Sequence, residues 1–224
     1  MKNPVAGMWL GLVTTFVLIA LAVFLSAGTF HYWQAWLYLG VGVVSSVLLT
    51  FYIVKDQALL GRRTKFGPAS EQLPAQKIIV VFTGLPAIGA FIVPGLDRRF
   101  GWSSVPPWLS IVGEILVIVS IRIVYLVFRE NSFGSATVEV SADQKVISTG
   151  PYSVVRNPMY ASAAVYFVGL SLALGSYWGL IAAFLTVLGF VRRLLDEEKF
   201  LGKNLPGYEE YCARVHWHLI PGIF

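Results

Sequence analysis

Apolar residues along this chain fall in unbroken runs rather than in the one-sided stripe of a surface helix. The first run extends from about Val5 to Ala27, with only Lys2 ahead of it. It exceeds the roughly 7–15 apolar residues of a secretory signal, so it reads as a retained membrane helix. The second runs from about Trp36 to Val54 and is entered through His31, Tyr32, Trp33 and Trp36, aromatics of the kind that settle at a membrane–water interface. A third covers about Ile78 to Pro94, where Pro86 is placed to kink the helix. A fourth spans about Trp108 to Phe128. Two shorter runs, about Met159–Leu174 and Tyr177–Val191, are joined only by Gly175 and Ser176 and predict a tight helical hairpin.

Polar segments punctuate these runs. The 55–77 loop carries Lys55, Arg62, Arg63, Lys65 and Lys77; a short loop covers Gly95–Pro107, and a longer polar stretch covers 129–157. Beyond Val191 the pattern predicts a charged helical stretch from Arg192 to Lys203 and an amphipathic helix from about Tyr208 to Trp217. With six crossings, 14 of the 17 Lys and Arg residues share one side, leaving Arg98 and Arg99 opposite and Arg122 inside a span. The positive-inside bias assigns that rich side, and both termini, to the cytoplasm. The expected fold is all-α: a polytopic transmembrane helical bundle of about six crossings with cytosolic C-terminal helices. It divides into four spans over 1–128 and a core over 129–224, in a multi-pass protein of a bacterial inner membrane.

Composition confirms the class and removes others. Of 224 residues 56% are hydrophobic and 13% charged, against about 25% charged in soluble domains, and the mean hydropathy is +0.70. The net charge of +5 follows from the one-sided loops and calls for no nucleic acid partner. Cys212 stands alone, so neither an intrachain disulfide nor a cysteine metal cluster is available. No zinc motif occurs, and His31, His216 and His218 read as interfacial. Gly40-x-Gly42 lies inside an apolar span with no strand before it and reads as close helix packing. Glu114 and Arg122 sit in the fourth span, where ionisable groups are costly. Eight residues place them about 80° apart around the axis, near enough to share a neighbour. They read as polar glue facing the bundle interior, or else as contacts to a lipophilic substrate's head group. No inverted repeat of the transporter kind is visible.

Two constellations lie after residue 129. In TGPYSVVRNPMY (149–160), Asn157 suits a helix N-cap and Pro158 the first helical position. Gly150-Pro151 forces a turn and admits close backbone approach. Local chemistry leaves two readings: an interfacial loop–helix junction, or a ligand site at a helix start. In RRLLDEEKFL (192–201), Arg193 and Glu197 share a helix face. This stretch is either a continuing solvated helix or a carboxylate and a guanidinium poised for ligands.

Together, GPY-x3-RNP-x-Y (150–160), the hairpin, R-x3-EE-x2-L (193–201), GYEEY (207–211) and RVHWHLIPGIF (214–224) resemble the isoprenylcysteine carboxyl methyltransferase family. The resemblance covers Asn131 to the C-terminus, about 40% of the chain; phospholipid methyltransferases share a looser version. It implies an integral membrane enzyme using S-adenosylmethionine. It further implies cofactor binding by Gln144, Lys145, Val146, Ile147, Tyr152, Asn157, Pro158, Met159, Tyr160 and Glu197, with Arg193 holding the substrate beside Glu197 in the catalytic centre. Gln144 and Asn157 stand where histidine is usual. The implied partners are membrane lipids and a lipophilic or lipidated acceptor, with oligomeric state left open. A carboxylate acceptor is already ionised and needs no general base, which suits a chain without a Ser-His-Asp or Cys-His arrangement. Methylation of a phospholipid or small lipid at N or O is the alternative chemistry. A non-catalytic scaffold or transport component is the alternative class, and Asn157 is the feature that favours it.

Overall fold

The structure, a computed structural model, describes residues 4–55, 74–131 and 145–224. Four long helices come first: α1 (Pro4–Ala27), α2 (Trp33–Lys55), α3 (Pro74–Phe100) and α4 (Pro107–Glu130). A 3-10 turn (Gly150–Ser153) leads into α5 (Pro158–Ala173), α6 (Gly179–Asn204) and the short α7 (Tyr208–Arg214). The described residues contain no strand and their regular structure is all helical. Each of α1 to α4 holds an apolar stretch of 23 or 24 residues, long enough to cross a membrane. Helix α5, with 16 residues, is about 24 Å long, short of the roughly 30 Å hydrocarbon layer. Helix α6 runs unbroken for 26 residues, its first half apolar and its second carrying the RRLLDEEKF charges.

Several boundaries differ from the sequence pattern. The third helix continues through both Pro86 and Pro94 to Phe100, absorbing half of the expected 95–107 loop. Tertiary contacts from α1, α6 and the Asp97 turn hold that last part helical. The C-terminal amphipathic helix stops at Arg214, because residues 217 and 218 pair with the backbone before α5. Glu114 and Arg122 part company: Glu114 is buried in the bundle, whereas Arg122 is exposed and lies over the Tyr125 ring at 4.7 Å. Snorkelling toward the end of α4 gives such a side chain a polar outlet. In Gly40-x-Gly42, only Gly42 meets a neighbour helix, against Phe16 of α1.

In a bilayer, helices associate through close packing rather than hydrophobic expulsion from water, and small residues let backbones approach. Three crossings use this device. A Cβ on Gly113 would lie 2.7 Å from the Gly169 carbonyl oxygen of α5 and nearer still to the Ala173 nitrogen. A Cβ on Gly95 would meet the Val23 carbonyl oxygen of α1 at 2.7 Å, and one on Gly189 would meet Thr83 Cβ of α3 at 2.9 Å. Val23, Tyr38, Val117, Leu170, Leu174 and Ala183 fill the core between these crossings. Outward, Leu10, Val17, Leu25, Leu48, Phe82, Ile115 and Phe184 present an apolar belt.

At the end of the bundle away from Lys55, the α5–α6 turn is fixed by polar contacts. Asp97, 1% exposed, accepts from Ser103 N at 2.7 Å, Ser103 Oγ at 2.5 Å and Ser176 Oγ at 2.5 Å. Ser176 Oγ accepts from Gly179 N at 3.0 Å, and Ser103 Oγ accepts from Tyr177 N at 3.2 Å. Tyr32 donates to the Leu174 carbonyl. One carboxylate thereby ties the α3–α4 loop to the hairpin turn.

The α4–α5 crossing yields a direct prediction. Gly113→Ala forces the two backbones apart and destabilises the protein by about 2 kcal/mol. Gly84→Ala, whose added methyl meets nothing within 4 Å, leaves stability unchanged. Thermal unfolding in detergent measures both.

Candidate active site

The two constellations meet at the opposite, basic end of the bundle. Gly150 opens the 3-10 turn with φ +56, and a Cβ there would fall 2.5 Å from Glu130 Cγ at the end of α4. Thr149 Oγ1 donates to Glu130 Oε2 at 2.9 Å, and Asn131 Nδ2 donates to the Tyr152 hydroxyl at 2.9 Å. The turn is thus pinned to α4 by groups that only a glycine leaves room for. From the other side, Tyr211 donates to the Tyr152 carbonyl at 2.8 Å. Burial pushes the Tyr211 hydroxyl above the usual phenol range, so it serves as a neutral donor.

Helix α5 begins as the sequence reads, with Pro158 at its first position and Asn157 before it. The Asn157 side chain, however, makes no cap bond to its own helix. It donates instead to Glu198 Oε1 at 2.5 Å and to the His218 carbonyl at 3.4 Å. A carboxylate is a stronger acceptor for its amide than the local backbone offers. One turn on, the Tyr160 hydroxyl donates to Glu197 Oε2 at 2.6 Å and accepts from Arg193 Nε at 3.1 Å. Its ring lies 5.8 Å from that of Phe190. The Arg193–Glu197 pair, one turn apart on α6, is therefore bridged by a hydroxyl from α5. Both are half-buried, so this part of α6 is not a solvated continuation of the span. Arg192 and Asp196 make the outward pair of the same stretch at 3.3 Å.

Glu198, Arg156 and His218 are not among the site residues that the sequence reading expects, and His218 reads there as merely interfacial. Glu198 Oε1 lies 3.0 Å from His218 Nδ1 and 3.3 Å from Arg156 Nε, the latter not aligned for a hydrogen bond. The Arg156 and Glu198 side chains are each 11% exposed. Arg156 N donates to the Trp217 carbonyl at 2.8 Å and Asn157 N to the His218 carbonyl at 3.0 Å. The His218 ring stacks on Phe224 at 4.7 Å. A strap, residues 217–224, is thereby latched beside the start of α5. The adjacent acids of DEE were a usable signal, since consecutive helical positions point about 100° apart and serve different neighbours.

The remaining expected site residues are partly gathered. Tyr152 and Met159 pack with Ile53, Val127 and Phe128. Val146 joins Tyr152 against Leu205, Tyr208, Tyr211 and Val215. Pro158 is buried, Ile147 half-buried and Lys145 exposed. Gln144 lies outside the described residues. Chemically, the site combines two half-buried carboxylates, two guanidiniums, aromatic faces and a helix N-terminus at the boundary of an apolar bundle. Among the described residues no group of His, Cys, Asp and Glu could hold a metal ion.

Residues 108–206 match the phospholipid methyltransferase family, a region that takes in α4, the turn, α5 and α6. Two curated proteins, each named a probable protein-S-isoprenylcysteine O-methyltransferase, are similar over the same kind of extent. One is from Oryza sativa subsp. indica and one from Oryza sativa subsp. japonica, each 28% identical over 114 residues. The match takes in 49% of this chain and 60% of the length of each relative. Both comparisons thus find a resemblance to methyltransferases, the family model to the phospholipid type and the two relatives to the isoprenylcysteine O-methyltransferase type.

Breaking the latch has a measurable outcome. Glu198→Ala leaves Arg156 without its countercharge and Asn157 without its carboxylate acceptor, and lowers stability by about 2 kcal/mol. Chymotryptic cleavage after Trp217 accelerates, whereas Glu198→Gln, which retains an acceptor oxygen, loses less.

Proposed function

We propose that this chain is an S-adenosylmethionine-dependent methyltransferase acting on the carboxylate of a lipophilic acceptor, such as a prenylcysteine-like group. The observation that carries this reading is the Tyr160 hydroxyl, bonded to both Glu197 and Arg193. It joins the two resembling motifs, far apart in sequence, into one half-buried constellation. The chemistry of the residues fits the cofactor: carboxylates suit an ammonium and a sulfonium, aromatic faces suit a purine, and the α5 N-terminus suits an anionic group. In this reading Glu197 binds the cofactor's ammonium. Tyr152, Asn157, Pro158, Met159 and Tyr160 wall its pocket, with the 144–147 segment alongside, and Arg193 orients the acceptor carboxylate.

The bound cofactor supplies an electrophilic methyl group on a positively charged sulfur. The protein's task is then positioning and exclusion of water. Arg193 holds the acceptor in line, Tyr160 fixes the rotamers of Arg193 and Glu197, and Phe190 keeps that face apolar. No protein group has to take a proton, because a carboxylate acceptor arrives ionised. The same reading assigns six crossings, the α5–α6 hairpin included. It places the basic end, α7 and both termini in the cytosol, where the cofactor is found, while the acceptor enters from the bilayer.

A second acceptor class is supported by the family match: a phospholipid or small lipid methylated at N or O. Supplying both classes to the purified protein with labelled cofactor decides between them. Calorimetric titration with S-adenosylmethionine in detergent tests the reading itself. Wild type binds, and Glu197→Ala weakens binding at least about tenfold, equivalent to about 1.4 kcal/mol. Arg193→Ala leaves cofactor affinity within about twofold and lowers kcat/KM for the acceptor about 100-fold. Absence of binding by the wild type instead supports a non-catalytic scaffold.

A further inference from the structure

A second set of polar groups lies in the half of the bundle nearer Asp97. Glu114 stands on α4, about 10 Å along the helix from Pro107, and is 4% exposed. Both its carboxylate oxygens are buried without a hydrogen-bond partner, and no ion pair among the described residues includes it. One turn earlier on the same face is Ser110, fully buried, its Oγ also unpartnered. Gln34 of α2 contributes a third such group, its Oε1. Gln34 and Ser110 converge on Gly175: a Cβ there would lie 3.1 Å from Gln34 Nε2 and 3.6 Å from Ser110 Oγ. One turn beyond Gln34, the Tyr38 hydroxyl meets that of Tyr166 at 2.5 Å.

A buried carboxylate with neither countercharge nor donor is strongly disfavoured, most of all inside a bilayer. The unpartnered atoms of this group are all oxygens, and with Glu114 ionised they carry one negative charge. A hard monovalent cation satisfies such a set, since it takes oxygen ligands from carboxylate, amide and hydroxyl alike. A neutral ligand would leave the charge in place, and a divalent ion would overcompensate it. We propose that Gln34, Ser110 and Glu114 form an intramembrane site for a monovalent cation. The ion bridges α2 to α4 beside the α5–α6 turn. The site is separate from the constellation around Tyr160 and does not depend on methyl transfer.

The test is thermal unfolding of the full chain in detergent at matched ionic strength in sodium, potassium, ammonium or choline chloride. The expected result is a midpoint about 4 °C higher in at least one of the three small cations than in choline. The preferred salt identifies the ion, and Glu114→Gln removes the difference. Ser110→Ala, a smaller change, reduces the difference if Glu114→Gln fails to fold. Equal midpoints in all four salts overturn the proposal, as does a difference that persists in Glu114→Gln. So does an infrared carboxylic-acid band at neutral pH in the preferred salt that disappears in Glu114→Gln, because Glu114 then carries a proton in place of the ion.

Discussion

A buried carboxylate at one end of the bundle, Asp97, holds in register the two helices that build the site at the other end. Its bonds to Ser176 and Ser103 fix the turn between α5 and α6. From that turn the two helices run back to the site over equal lengths of chain. Tyr160 lies 15 residues before Gly175, and Arg193 lies 15 residues after Trp178. At about 1.5 Å per residue, both reach the same height. A slip of one residue would rotate either helix by about 100° and part the Tyr160 hydroxyl from its partners. The glycine contact between α4 and α5 adds the lateral constraint, since only a bare backbone lets α5 sit close enough to carry the turn at Gly150.

Charge is placed under the same discipline. At the basic end Glu197 and Glu198 point to different sides of α6, one toward Tyr160 and one toward Asn157, Arg156 and His218. These contacts join segments distant in sequence. They also leave the start of α5 held between α6 and the C-terminal strap. Charge-assisted bonds at partial burial are stronger than exposed ion pairs. Their concentration here, against an otherwise apolar bundle, marks this end as the place where the chain invests polar structure.

Asn157 acquires a physical meaning in that setting. At the position where the family resemblance implies histidine, its amide donates to Glu198. An imidazole N–H and an amide N–H both donate, so the positioning contact survives the difference. What the amide lacks is a titratable proton. Transfer of a methyl group to an ionised carboxylate has no use for one, so the departure is compatible with the activity proposed.

The apolar runs alone determined an all-helical membrane chain, the four long helices and the hairpin of α5 and α6, because hydrocarbon demands long helical segments whatever their neighbours. The motif order was equally legible, and Tyr160, Arg193 and Glu197 do come together. Local pattern could not supply what depends on a partner from elsewhere in the chain. Helix α3 passes through Pro94, Asn157 turns from its own helix to Glu198, and the C-terminal helix yields to a strap, each because a distant segment offers a better contact. Nor could it separate Glu114 from Arg122. Their spacing put both near one face, and only the packing of neighbouring helices against α4 decided that the carboxylate is buried, one turn from the buried Ser110, while the guanidinium looks outward.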